Sequence, residues 1–177
     1  MGTDSLPIID FAGENDEALA RQLDQAFTDI GFCYFRGIGV EQRLVDGVFA
    51  ASRRFHAQPR AAKDAIAMNS FHRGYMAPKT STIQTSSVAN VTKPNDSESF
   101  MWMHEVPEDD PRFGRPLDGP NLWPDLPGFR EPVMAYEQAM HEFCQRLLRP
   151  LALALGLPRD WFVPYFRQPT LFLRLLH

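Results

Sequence analysis

Thr170-Leu171-Phe172-Leu173-Arg174-Leu175-Leu176-His177 reads as one buried β-strand, and it constrains the fold more than any other stretch of the chain. A strand carries N–H and C=O groups that must be paired, and large apolar side chains on it cannot face water without cost. No turn, polar tail or partner strand follows His177. The expectation is therefore that another chain covers this strand, or that the 177 residues are the front part of a longer protein.

The rest of the chain can bury a substantial core. Hydrophobic residues make up 44% and aromatics 12%, which excludes a disordered polymer. Eighteen Lys and Arg stand against 22 Asp and Glu, so there is no basic footprint for nucleic acid and no polybasic membrane patch. No signal peptide and no apolar run of spanning length is visible. Cys33 and Cys144 each sit among apolar residues and read as two reduced core thiols, which suits a reducing cytoplasm. Asn90-Val91-Thr92 and Asn95-Asp96-Ser97 match the glycosylation pattern but lack a secretory context.

Leu6 to Phe11 reads as a short strand. Leu19, Leu23, Ala26, Phe27 and Ile30 recur at helical spacing, with Gly31 as the residue beyond the helix end. Phe32 to Phe35 reads as a second strand. A second helix presents Leu44, Val45, Val48, Phe49, Ser52 and Phe55 on one face, and Arg60 to Met68 adds a short third. From Asn69 to Pro132 the pattern breaks into prolines, glycines and a Ser/Thr cluster at Thr80–Ser87. Its aromatics argue for an ordered, mostly irregular wrap, and a loop of that length in a compact domain is usually functional. A long helix then carries Met140, Phe143, Cys144, Leu147, Leu148, Leu151, Ala152 and Leu155. Gly156 ends it, and Pro150 should kink it or split it near Arg149. Asp160-Trp161-Phe162 begins a short helical turn.

The common local catalytic motifs are absent. There is no P-loop, no Gly-x-Gly-x-x-Gly, no Cys-x-x-Cys, no His-Glu-x-x-His and no Gly-x-Ser-x-Gly. None of His56, His72, His104, His141 and His177 has a carboxylate two residues later, so the usual His-x-Asp part of a 2-His-1-carboxylate triad is not written here.

Seven segments in order nevertheless resemble one family. Pro7-Ile8-Ile9-Asp10-Phe11 and Gly31-Phe32-Cys33-Tyr34-Phe35 with Gly37-Ile38 resemble the opening of isopenicillin N synthase-like, 2-oxoglutarate/Fe(II)-dependent oxygenases. Phe55 before Gln58-Pro59 and Lys63, and then Arg73-Gly74-Tyr75, continue the likeness. So do Ser97-Glu98-Ser99-Phe100 with Pro107 to Pro111, and Asn121, Trp123-Pro124 and Pro127-Gly128-Phe129-Arg130. Leu153 to Leu157 and Phe172 to His177 complete it. Ser97 stands where the family commonly has lysine.

The resemblance implies an α+β fold: a helical N-terminal region plus the first strands of a double-stranded β-helix, or jelly roll, whose C-terminal half is absent. Residues 1–177 would form one region, with a helical wrap, a long pocket loop at 69–132 and the first jelly-roll strand at 170–177. The family's iron ligands and its 2-oxoglutarate-binding Arg-x-Ser lie beyond that strand. Fe(II) and 2-oxoglutarate are thus expected of the longer parent and not of this chain alone, which would be catalytically silent.

Four residues are candidates for a small-molecule pocket wall: Arg73, Tyr75, Arg174 and His177. Arginine can hold a carboxylate with two hydrogen bonds, and tyrosine can stack and hydrogen-bond. Against this stand a surface arginine beside a core aromatic, and a frayed terminal histidine. No metal ligand and no catalytic residue is expected. Glu98 could orient pocket residues, but a solvated or loop-capping carboxylate is the favoured reading. His104-Glu105 and His141-Glu142 do not suit chelation, because adjacent side chains diverge. Trp102, Trp123 and Trp161 read as core anchors. The rival function is a binding or assembly module whose terminal strand augments a partner's sheet or mediates self-association.

Overall fold

The computed structural model describes residues 6–82 and 92–177. The Asn90 glycosylation pattern and most of the Thr80–Ser87 cluster lie outside the described residues. Two compact units emerge. One comprises Met1–Asp46 and Met134–Pro169, the other Gly47–Val133 and Thr170–His177.

In the first unit, β1 (Ile8–Asp10) pairs in parallel with β2 (Tyr34–Arg36), with Ile8 opposite Tyr34 and Asp10 opposite Arg36. Between them runs α1 (Asp16–Asp29). Asn15 caps it by accepting from the Ala18 N–H at 2.8 Å, and two acids occupy its first turn, where they favour the helix dipole. Its apolar spacing buries Leu19, Leu23 and Ala26 against Ile9. Phe11, Phe35 and Phe143 meet edge-to-face beside that cluster. Gly37 is obligatory: its φ is +63°, and a Cβ there would lie 2.4 Å from Asp10 Oδ1.

The long helix α4 (Arg130–Ala154) continues through Pro150 and is not split near Arg149. Gly156 lies beyond its end at φ +69°. Cys144 is exposed on α4 and Cys33 is half-buried, so neither is a fully enclosed core thiol, although both are free. Leu155 is also exposed, because the stripe drawn from spacing ran one turn past the packed surface. The helical turn near Asp160 is followed by a 3₁₀ segment at Val163–Phe166, and Trp161 is 47% exposed, not a core anchor.

The second unit contains most of α2 (Gln42–His56), with α3 (Arg60–Asp64), β3 (Gly74–Met76), β4 (Ser99–Met103) and β5 (Phe172–Leu176). Val48, Ala51 and Phe55 of α2 are buried, whereas Phe49, expected on that face, is exposed. The three strands form an antiparallel sheet in the order β3-β4-β5. Two of them lie inside the segment that reads as irregular from sequence. β4 is the partner of the terminal strand, so among the described residues β5 is paired along one side and forms an edge of the sheet. Tyr75, Phe100 and Leu175 align across one face and are all buried, and Phe55, Phe129 and Trp123 pack around Phe100. Asn121 pairs with the end of β4 as a neighbouring strand would: its Oδ1 accepts from Met103 N–H at 3.0 Å and its Nδ2 donates to Met103 C=O at 2.7 Å.

Candidate functional site

Period two along a strand decides which chain ends meet. Glu98 and His177 flank β4 and β5 and exchange two ladder hydrogen bonds, Glu98 N–H to His177 C=O at 3.0 Å and His177 N–H to Glu98 C=O at 2.9 Å. Both therefore project on the same face as Phe100, Leu175 and Tyr75. Arg174, in register with Met101, lies on the opposite face and is exposed. The strand thus separates two of the candidate residues.

Glu98 is the centre of the site. Lys63 Nζ donates to its Oε1 at 3.0 Å and its Oε2 at 2.8 Å, and the Tyr75 hydroxyl donates to Oε2 in a short hydrogen bond. The third donor of Lys63 goes to His56 C=O at 3.0 Å, so every ammonium hydrogen has an acceptor. His177 Nδ1 lies 3.4 Å from Glu98 Oε1. The side chains of Lys63 and Glu98 are only 8% and 12% exposed. Glu98 is therefore neither solvated nor a simple loop cap.

Local backbone puts Tyr75 there. Gly74 has φ +110°, and a Cβ would lie 2.5 Å from Ile66 C=O, so only glycine lets β3 approach residues 66–68. Tyr75 N–H then donates to Ile66 C=O at 2.8 Å and Tyr75 C=O accepts from Met68 N–H at 2.9 Å. Lys63 Nζ and the Arg60 guanidinium stand 5.3 and 5.8 Å from the centre of the Tyr75 ring. His56, the last residue of α2, stacks on His177 with ring centres 5.0 Å apart and planes 16° from parallel. Its Nδ1 donates to Ser52 C=O at 2.9 Å, which leaves Nε2 as an acceptor, buried and without a hydrogen-bond partner.

The charges follow this geometry. Burial would raise the Glu98 carboxyl, but the hydrogen bonds from Lys63 and Tyr75 and the Lys63 charge outweigh it and hold it below the usual range. Burial, then the adjoining Glu98 carboxylate, push the Tyr75 phenol up to about 12. Burial lowers the His56 imidazole, against the opposing pull of the Ser52 hydrogen bond and the Glu98 charge. Near neutrality the site therefore holds an ionised Glu98, a neutral Tyr75 and a neutral His56.

Arg73 has a different place. It is fully buried, and its guanidinium donates to Phe71 C=O at 2.8 Å, Leu117 C=O at 2.7 Å and His104 C=O at 2.8 Å. It ties three loop segments together, including Leu117 at the bulky-residue outlier φ of +67°. That is neither the surface arginine nor the substrate-facing one of the two sequence readings. His104 Nε2 meets Asp118 Oδ1 at 3.2 Å and Glu105 binds Asn121, so this adjacent pair has diverged as expected.

Tyr75 and His177 are thus brought together, through Glu98, while Arg73 and Arg174 stand apart from them. Lys63 and His56 were not singled out in the sequence. Lys63 carried one signal, a place in the quoted Pro59…Lys63 segment, and His56 carried none.

The residues here do not fit the Fe(II) that the family resemblance implies. Among the described residues no three His, Cys, Asp or Glu side chains could hold a metal ion together. The Glu98 oxygens already accept from Lys63 and Tyr75, and what these side chains can do is bind, orient and exclude water.

Comparison with known proteins agrees with the fold. Residues 6–126 match the family model described as non-haem dioxygenase in morphine synthesis, N-terminal. The chain is 34% identical over 175 residues to azadirone synthase LFS of Melia azedarach, covering 97% of this chain and 50% of that protein. It is 30% identical over 191 residues to the 2-oxoglutarate-Fe(II) type oxidoreductase hxnY of Emericella nidulans, covering 100% of this chain and 53% of the relative. A 2OG-Fe(II) oxygenase family protein from Caulobacter crescentus superposes with a TM-score of 0.80 at 23% identity, over 97% of this chain and 55% of that one. The chain spans about half the length of the curated relatives it matches. The family model spans more than half of the chain, and the chain belongs to the 2-oxoglutarate/Fe(II) oxygenase family, as an N-terminal region of it.

Proposed function

We propose that this chain supplies the scaffold and one wall of the small-molecule site in a 2-oxoglutarate/Fe(II)-dependent oxygenase, without furnishing iron ligands. The supporting observation is the convergence of Tyr75 and His177 on one carboxylate, Glu98, held in place by the buried Lys63. The relatives' names support this reading: azadirone synthase LFS and a 2-oxoglutarate-Fe(II) type oxidoreductase. When bound, Fe(II) and 2-oxoglutarate supply the oxidant. The work of this chain is to orient the substrate and keep water out. His177 is the exposed wall residue of this reading, and the buried Tyr75 holds Glu98 in place behind it. Arg73 holds the loops behind them, and Arg174 serves the opposite face of the sheet. The free thiols of Cys33 and Cys144 suit a cytoplasmic setting, and among the described residues no helix is long and apolar enough to cross a membrane.

The test is succinate formation by the natural polypeptide supplied with Fe(II), 2-oxoglutarate and a panel of small molecules. Iron-dependent succinate that rises with one panel member supports the reading. A folded natural polypeptide that turns over no 2-oxoglutarate overturns it.

A second reading has its own observation. β5 stands at the sheet edge, and Phe172 and Leu176 on it are 55% and 59% exposed. As a non-catalytic module the chain would associate with itself or a partner by adding a strand there. Light scattering separates the two: an oligomer abolished by Leu176→Lys favours assembly, and a monomer removes it.

A further inference from the structure

We infer that Glu98 is a positioning residue that fixes the tautomer of His177, so that His177 meets a ligand through a bare Nε2 lone pair. This rests on the reading that His177 lines the small-molecule site.

Three observations place the His177 ring. The ladder bonds between Glu98 and His177 hold the two backbones in register. The ring lies flat on His56, 5.0 Å between centres and 16° from parallel. Nδ1 is the nitrogen that faces Glu98, at 3.4 Å from Oε1. An ionised carboxylate only accepts, so the nitrogen beside it must carry the hydrogen for the contact to be favourable. The depressed Glu98 carboxyl keeps that acceptor charged near neutrality. In the neutral ring the lone pair is then on Nε2, at the other edge of a side chain that is 67% exposed.

Lys63 and Tyr75 complete the device. Both oxygens of Glu98 are pinned by them, so the carboxylate cannot rotate away from the histidine. A carboxylate oriented by other groups, holding one imidazole nitrogen so that the second faces outward, is the usual way a protein selects a histidine tautomer. The group His177 offers is an acceptor. It suits a hydroxyl or N–H on the ligand and repels a carboxylate.

Imidazole ¹⁵N NMR on the natural polypeptide at roughly pH 8, above the ordinary imidazole range, reads this directly and needs no substrate. The expected spectrum has the His177 proton on Nδ1 by about tenfold, the scale of one charge-assisted contact. Glu98→Gln should shrink that preference while the amide spectrum stays folded. If that variant does not fold, Glu98→Asp, which withdraws the charge by one methylene, serves in its place and should also weaken it. A wild-type His177 with its proton mainly on Nε2, as in an unconstrained histidine, overturns the inference. So does a preference that both folded variants retain. The succinate assay can fail while the tautomer stands, and the tautomer can fail while succinate forms, so the two claims are separable.

Discussion

Lys63 and Glu98 form a two-point ion pair inside the second unit, with Nζ 3.0 and 2.8 Å from the two carboxylate oxygens and both side chains nearly enclosed. Removing one partner strands the other's charge away from water. Glu98→Ala or Lys63→Ala should each destabilise the fold by about 3–5 kcal/mol, whereas Lys63→Met with Glu98→Leu should lose less than either, about 1–3 kcal/mol, because an apolar pair avoids both charge desolvations and leaves only the Tyr75 hydroxyl and the His56 carbonyl unpaired. Urea unfolding of the three variants checks this, and equal losses in singles and double would contradict it.

Acid should weaken the protein in two stages. Burial lowers the His56 imidazole, so below about pH 6.5 the unfolded chain takes up a proton that the fold resists, and stability falls as pH falls. Glu98, held below its ordinary value by Lys63 and Tyr75 against its burial, contributes fully above about pH 4.5 and loses that contribution as pH drops through its folded value. Denaturant midpoints measured from pH 7 to 3 should decline throughout, and His56→Gln should flatten the upper stage.

Alkali should act through Tyr75. Its phenol is 2% exposed and its pKa is pushed up from 10 to about 12 by burial and the Glu98 carboxylate. The neutral form is favoured in the fold, so the contribution is complete below pH 10 and is lost as pH rises toward 12. Two pKa units correspond to about 2–3 kcal/mol. Tyr75→Phe should remove that alkaline loss, and ultraviolet titration of the phenolates should find one tyrosine ionising later than the rest.

Arg73 should be irreplaceable by lysine. Its planar fork reaches the carbonyls of Phe71, His104 and Leu117 at once. One ammonium cannot span the same three directions. Arg73→Lys and Arg73→Ala should both lose about 2–4 kcal/mol through buried, unsatisfied carbonyls, with increased hydrogen exchange at residues around 104 and 117. Wild-type stability in the lysine variant would contradict the clamp.

The helices were legible because their apolar spacing is regular and glycines mark their ends, Gly31 beyond α1 and Gly156 beyond α4. β3 and β4 were not. Gly74-Tyr75-Met76 is too short for an alternating pattern, and Ser99-Phe100-Met101-Trp102-Met103 is largely buried on both faces, so it does not alternate polar with apolar. The lone-strand puzzle at Thr170–His177 was half resolved by a partner hidden in what read as a loop. Tyr75 and His177 were singled out in the sequence and meet in the structure, but Glu98, the carboxylate that joins them, was not read as their centre. A glutamate beside a strand gives no sign of burial until the register with His177 and the reach of Lys63 are known. Arg73 misled for a related reason: sequence cannot tell an arginine that binds a ligand from one that binds its own carbonyls.

The central claim is that His177, backed by the buried Tyr75 and Glu98, touches the substrate of an oxygenase. The most direct measurement is substrate-dependent succinate formation by the natural polypeptide, comparing wild type with Tyr75→Phe and His177→Gln and using the small molecule that stimulates it most. The account predicts that KM rises by about tenfold in His177→Gln, the scale of one lost hydrogen bond to a buried ligand, with a smaller change in kcat. Folded variants that both keep the wild-type KM would contradict it.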